Sequence, residues 1–249
     1  MALPKVVTPT YELTIPSSGE KVSYRPFLVK EEKILLMAME EGEAASMAKA
    51  MKDIIYACTD GGVKTKNLAP FDIEYFFLQL RGKSVGDVID LTLNKPPSIV
   101  CEEEGEGENC QQICEMKLDV GDIKVDSSGV VDGKIELTDT IGVKMHYPQI
   151  ETAAKYAGTI GVDMKTDNIF KMINECIEYV WDGEEIFKAK DSSKKELTEF
   201  IESLDTNQFM KIRDFFEGMP RLKHIVEWKC PKCDKTGDML LEGIDSFFG

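Results

Sequence analysis

Histidine is nearly absent: 249 residues carry only two, His146 and His224. There is no His-x-x-x-His metal pair, no Gly-x-Ser-x-Gly elbow and no glycine loop closing in Lys-Ser/Thr. Nothing in the sequence brings a nucleophile, a base and oxyanion donors together, so it supplies no catalytic mechanism. Positive charge is short as well, with 30 Lys and Arg against 45 Asp and Glu and a formal net charge of -15. That balance opposes binding to phosphate backbones, and nucleic acid is not an expected partner. No apolar run has the length needed to span a bilayer, and the opening Met-Ala-Leu-Pro-Lys lacks the apolar segment of a signal peptide. A cytosolic protein with no membrane partner is the expectation.

What the chain does have is enough apolar material, 43 % of residues, to bury a substantial core as one large domain or two smaller ones. It also has seven cysteines. An odd number without a small-domain framework fits reduced thiols plus one metal site better than disulfides. Cys230 and Cys233 stand in Trp-Lys-Cys-Pro-Lys-Cys-Asp-Lys-Thr-Gly, between the apolar runs Ile225 to Trp228 and Met239 to Leu241. Cys-x-x-Cys followed by polar turn residues and a glycine reads as a zinc knuckle. A closed four-thiolate Zn²⁺ site needs a second pair, for which Cys101, Cys110 and Cys114 are the candidates. Cys101 and Cys110 flank an acidic, glycine-containing loop able to bring its ends together, and they are favoured. Cys114 instead starts the alternation Cys114, Met116, Leu118, Val120 of a buried strand face. The competing reading is a thiol-redox or zinc-dependent enzyme using Cys230 and Cys233, although redox pairs usually open a helix and this one opens a turn. Cys58 and Cys176 fall in helical patterns as packing residues, and His146 reads as an ordinary strand residue.

In chain order, residues 1–10 read as an extended arm, and Tyr11 to Tyr24 as a hairpin around Pro16 to Gly19. Helices are expected near 29–41, 45–58 and after Pro70, the last with Phe71, Ile73, Phe76, Phe77 and Leu80 at helical spacing. Asp72, Glu74, Arg81 and Lys83 read as a solvated, ion-paired face of that helix. From 85 to 147 the pattern turns to strands, most simply one sheet with the Cys101–Cys110 loop at one end. Helices follow near 149–157 and 167–180, the second with Ile169, Met172, Ile173, Cys176, Ile177 and Val180 on its inner side. Trp181 to Phe187 forms a turn and a short extended piece. Two helices capped by Ser192 or Ser193 and by Asp205 or Thr206 then lead to the knuckle.

The fold class is therefore α+β, a mostly antiparallel sheet with packed helical segments and a zinc-ribbon-like site joining the mid-chain loop to the C-terminus. The segments are 1–27 (arm and hairpin), 28–84 (helical), 85–147 (β-rich, with the first cysteine pair), 148–222 (helical) and 223–249 (knuckle packing back on 85–147). The stretch from Arg25 to Met39 stands out because Phe27, Leu28, Leu35 and Leu36 exceed what one buried stripe requires, which marks an element near an interface. Phe247 and Phe248 at the chain end read either as core tucked under the knuckle, which is favoured because an exposed pair would invite association, or as a pair offered to a partner.

Several long segments carry a family resemblance: Tyr24-Arg-Pro-Phe-Leu-Val-Lys-Glu-Glu-Lys-Ile-Leu-Leu-Met-Ala-Met-Glu, Asp72 to Gly86, Trp181-Asp-Gly-Glu, Glu199-Phe-Ile-Glu-Ser-Leu and the ending Glu242 to Gly249. Together they resemble the baseplate hub subunits and hub assembly proteins of T4-like contractile-tailed phages, over nearly the whole chain. The resemblance implies a non-enzymatic structural or assembly role in the baseplate hub. Its implied partners are other hub and tail proteins, with a homo-oligomer allowed. It places the protein in the host cytoplasm during assembly and in the virion tail if it is retained. It also implies cysteine pairs matching Cys101 with Cys110 and Cys230 with Cys233, and leaves Cys114 outside.

Overall fold

The helix from Pro70 to Val85 (α3) is buried on nearly every side, and the first half of the molecule is built round it. Proline at its first turn presets the helical φ and gives up only an N–H that would be unpaired there. The Asp72 carboxylate accepts the Ala69 N–H at 3.0 Å, closing the N-terminus, and the Ser17 N–H at 2.9 Å. Asp72 is therefore buried, a correction to the solvated face expected for it. Burial raises its carboxyl above the ordinary value, against the opposing hydrogen bonds from Ser17 and Ala69.

The computed structural model describes residues 7–94, 113–156, 166–229 and 236–247. Ahead of α3 lie the hairpin β1 (Tyr11–Thr14) and β2 (Lys21–Tyr24), then α1 (Val29–Glu41) and α2 (Ala44–Cys58). Gly42, at φ 67°, ends α1 in the left-handed conformation that glycine adopts without a Cβ clash. After α3 come β3 (Val88–Asn94), β4 (Ile113–Asp119), β5 (Lys124–Asp126), β6 (Lys134–Glu136) and β7 (Ile141–Met145). The remaining elements are α4 (Ile150–Tyr156), α5 (Thr166–Cys176), β8 (Ile177–Asp182), β9 (Glu185–Lys188), α6 (Lys194–Glu202), α7 (Thr206–Glu217), β10 (Arg221–Lys229) and β11 (Thr236–Glu242). Ser193 and Asp205 cap α6 and α7 as expected, each accepting a backbone N–H three residues on.

The class is α+β and every described pairing is antiparallel, but the strands of 85–147 do not share one sheet. They divide among a β3–β4 pair, a three-stranded sheet β11-β10-β5 and a four-stranded sheet β6-β7-β8-β9. Alternation reports that a strand is half buried, not which partner it meets, so the sequence pattern could not separate them. The second correction is at the end of α5. The expected helix to residue 180 stops at Cys176, and the chain passes into β8 with no glycine or proline between. The Cys176 carbonyl accepts the His146 N–H at 2.9 Å, so the ladder to β7 takes over from the helix. Ile177 and Val180 fit helical spacing, but with Tyr179 and Trp181 they are β-formers. His146 itself sits just beyond β7, exposed, its Nδ1 2.8 Å from the Tyr147 carbonyl oxygen.

Two apolar clusters result. The first joins the β1–β2 hairpin, α2, α3, β3, β4, β10 and β11, and takes in Phe247 with no exposed surface. The second lies between the β6–β9 sheet and helices α5, α6 and α7, centred on Val143, Ile173, Cys176 and Ile212. Phe71, Tyr147 and Phe215 connect them: Tyr147 stacks on Phe215 at 5.2 Å between ring centres and meets Phe71 edge-on at 5.4 Å. A Lys52–Glu151 ion pair ties α2 to α4 beside this bridge.

Candidate interaction surfaces and the cysteine-bearing hairpins

A buried ion pair positions α1. Arg25, one residue past β2, gives Nη2 to Glu31 Oε1 at 3.0 Å and to the Ala57 carbonyl at 3.1 Å, and Nη1 to the Pro26 carbonyl at 3.0 Å. The second oxygen of Glu31 accepts the Leu28 N–H at 2.9 Å, so one carboxylate both caps α1 and fastens it to the end of α2. Burial pushes the Glu31 carboxyl up. The hydrogen bonds from Arg25, Leu28 and Lys30 outweigh that and hold it below the usual carboxylate range. Cys58 lies 3.8 Å from Arg25 Nη1, and burial pushes its thiol up to about 11, against the pull of Arg25. The sequence reading missed this network. Its signal was a Glu at the third position of a helix that begins four residues after an Arg.

With its inner side given to Glu31, Leu35 and Ala38, α1 turns Val29, Ile34, Leu36, Met37 and Met39 to solvent. Leu28, Val29 and Val85 continue the surface into a groove of about 900 Å³ between α1 and α3. The apolar excess expected over Arg25 to Met39 is thus displayed at Leu28 and Leu36, while Phe27 is buried and Leu35 half-buried. Two more exposed apolar sites lie on sheets. Ile186 and Phe187 are exposed on β9, an edge strand, and Ile225 of β10 faces its register partner Leu240 of β11 on the solvent side. A groove of about 800 Å³ between α5 and α6 gathers Lys155, Lys171, Lys190, Lys194 and Lys195 in an otherwise acidic chain, with Lys155 bridged to Glu175 and Lys195 to Glu199.

Cys101, Cys110, Cys230 and Cys233, the sequence-derived Zn²⁺ ligands, lie outside the described residues. The strands that bracket them are described. Asn94 and Ile113 are register partners closing β3–β4, and Lys229 and Thr236 close β10–β11. Cys114 is the register partner of Leu93. The two hairpins share one core, where Ile89, Leu91 and Leu118 belong to the same cluster as Val226 and Leu241. Trp228, two residues before Cys230, is buried, and its indole N–H meets no acceptor among the described residues. Cys58 and Cys176 are buried free thiols, the packing role expected of them. Among the described residues no helix is long and apolar enough to cross a membrane, and no cluster of three metal-binding side chains occurs.

The described surface thus combines an ion-pair-anchored helix with an apolar outer face, two further exposed apolar sites and antiparallel hairpins on a shared core. The chain belongs to the family described as "T4 bacteriophage base plate protein", which matches residues 8–249. It is similar to the "Baseplate hub assembly protein gp26" of Enterobacteria phage T4, with 24 % identity over 241 residues, 96 % of this chain and 97 % of the T4 protein. No solved structure matches it.

Proposed function

We propose that this baseplate-family protein acts in assembly of the hub of a T4-like baseplate, by stoichiometric contact with other hub proteins and without turnover. The T4 relative's name supports the hub. The observation that carries the contact mechanism is the spread of exposed apolar side chains over separate elements: α1, the β9 edge and the Ile225–Leu240 pair. A chain that must hold several neighbours in register needs more than one such surface, and isolated exposed apolar residues would not be grouped this way. The β9 edge can extend its sheet by adding a partner strand, with Ile186 and Phe187 supplying side-chain contacts.

In the same reading Cys101, Cys110, Cys230 and Cys233 hold one structural Zn²⁺. The support is that each cysteine pair is bracketed by an antiparallel hairpin and both hairpins rest on one core. Four thiolates satisfy the tetrahedral preference of Zn²⁺ with no open position, and such a site adds to folding free energy instead of supplying chemistry.

The test is co-purification of the tagged full chain with baseplate hub proteins expressed beside it, followed by mass spectrometry of finished tails. A fixed stoichiometry that Ile186→Glu/Phe187→Glu or Ile225→Glu reduces is the expected result. Presence in finished tails identifies a hub component, and absence an assembly factor that leaves. Failure to bind any hub protein would overturn the proposal.

A further inference from the structure

The outer face of α1 has an order that a merely apolar patch lacks. Val29, Lys33, Leu36 and Glu40 fall at i, i+4, i+7 and i+11, one line along the helix opposite Glu31, Leu35 and Ala38. Val29 is 79 % exposed and Leu36 52 %, with Met37 (53 %) and Met39 (54 %) on either flank. The charges on that outer line are of opposite sign at its two ends: Lys33 stands in the first half, Glu40 in the second, and the last turn holds no basic residue. The other charges of the first turn lie off the line, with Lys30 paired at 3.3 Å to the buried Glu31 and Glu32 on the Met39 flank.

A strip with cations at one end and anions at the other is complementary to itself only when reversed. That is the condition a two-fold, isologous interface must meet, since each patch meets its own copy. We infer that α1 is a self-pairing surface, on which two copies of this chain meet antiparallel about a two-fold axis near Leu36 and Met37. In that arrangement Leu36 lies on Met37 of the second copy and Lys33 faces Glu40. A parallel pair would set lysine on lysine and glutamate on glutamate. Apolar content alone would suit any helix or groove, and the sorted charges are what select a second copy. The groove at Leu28, Val29 and Val85 lies at the end of the same strip and extends the contact. A 13-residue helix is about 20 Å long, so the contact falls at the small end of protein interfaces and the dimer dissociates readily. The inference does not depend on the hub reading and can fail or hold separately from it.

The experiment is sedimentation equilibrium of the full chain from about 1 to about 200 µM, the range over which a weak contact of this size changes occupancy. The expected result is a reversible monomer–dimer equilibrium that Leu36→Glu shifts to monomer. Lys33→Glu and Glu40→Lys are each expected to be monomeric alone and to form a mixed dimer when combined, because opposite charges then meet at both ends. Thermal unfolding checks that the variants remain folded, and Lys33, Leu36 and Glu40 are all solvent-exposed. A parent that stays monomeric throughout, charge-reversed variants that dimerise as the parent does, or a mixture that fails to pair would each overturn the inference. A monomeric parent whose Leu36→Glu variant loses a hub protein would assign the face to a foreign partner, which also overturns it.

Discussion

Replacing Glu31 with Ala is the most informative single perturbation of the fold, because one carboxylate makes two different attachments. It accepts Arg25 Nη2 at 3.0 Å and the Leu28 N–H at 2.9 Å, with its side chain 2 % exposed. Loss of an N-terminal helix cap costs about 1 kcal/mol. Removing one partner of a buried pair costs about 3–5 kcal/mol when the other charge is left uncompensated. Arg25 keeps the Ala57 and Pro26 carbonyls, so the lower part of that range applies, and the total comes to about 4 kcal/mol. For a chain of this size that lowers Tm by roughly 8–16 °C. Urea unfolding of Glu31→Ala, Arg25→Met and the double variant should show singles that are each costly and a double that is less than additive, with coupling on the order of 2 kcal/mol. The pH dependence has a fixed sign. The folded carboxyl lies below its ordinary value of 4.5, so its contribution is complete above that value and is lost as pH falls through the lower folded value. A Glu31→Ala chain within about 0.5 kcal/mol of the parent at pH 7, or one whose deficit grows on acidification, would refute the account of how α1 is held.

Purified protein is expected to carry about one zinc per chain, retained in Cys114→Ser and lost in Cys101→Ser, Cys110→Ser and Cys230→Ser, with elemental analysis as the check. Cys58 and Cys176 should resist alkylation of the native chain at neutral pH, since burial pushes their thiols up to about 11 and about 12, and should react once urea unfolds it. Gly142→Ala should destabilise by about 2–3 kcal/mol or more, because a Cβ there meets the Trp181 ring and comes within 2.6 Å of the Ile135 carbonyl oxygen, read by its urea midpoint. Phe247→Ala should cost about 3–5 kcal/mol although it is the third residue from the end of the sequence, since the ring is wholly buried in the first core.

The elements easiest to read were those whose ends carry their own chemistry. Pro70 opens α3, and Ser193 and Asp205 cap α6 and α7, so these boundaries were legible from sequence. The boundary at Cys176 was not, because a helix that runs straight into a strand leaves no turn residue, and the decisive bond comes from His146, 30 positions away. Strand partners were hidden for the same reason: β5 pairs with β10, nearly a hundred residues on. Asp72 looked like surface charge since its acceptors' donor, the Ser17 N–H, belongs to a distant hairpin turn. The apolar excess over Arg25 to Met39 was visible as composition, whereas its buried anchor required knowing that β2 ends beside α2. The four cysteines of the expected metal site lie outside the described residues, and only their flanking hairpins bear on them.

The charge distribution explains how such exposed apolar surface is compatible with selective contact. A net charge of -15 repels copies of the chain from one another at long range, which suppresses indiscriminate association. Screening confines that repulsion to roughly 8–10 Å at moderate salt, so within contact distance the local pattern decides. The β9 edge is guarded by Glu184, Glu185 and Lys188 around Ile186 and Phe187, an arrangement that deters flat edge-to-edge stacking while leaving a suitably charged strand able to add. At Ile225 and Leu240 the flanking register pairs are Lys223 with Glu242 and Glu227 with Asp238, so one side of that apolar pair is neutral and the other repels acidic neighbours. On the outer line of α1 Lys33 and Glu40 stand at opposite ends of the apolar strip, so a reversed copy would satisfy both charges. Burial of α1 needs Glu31, Leu35 and Ala38 alone, and helix propensity on the outer face would be served as well by Ala or Gln. Val29, Leu36, Met37 and Met39, all exposed, are therefore not required by the burial of α1 and are available for contact.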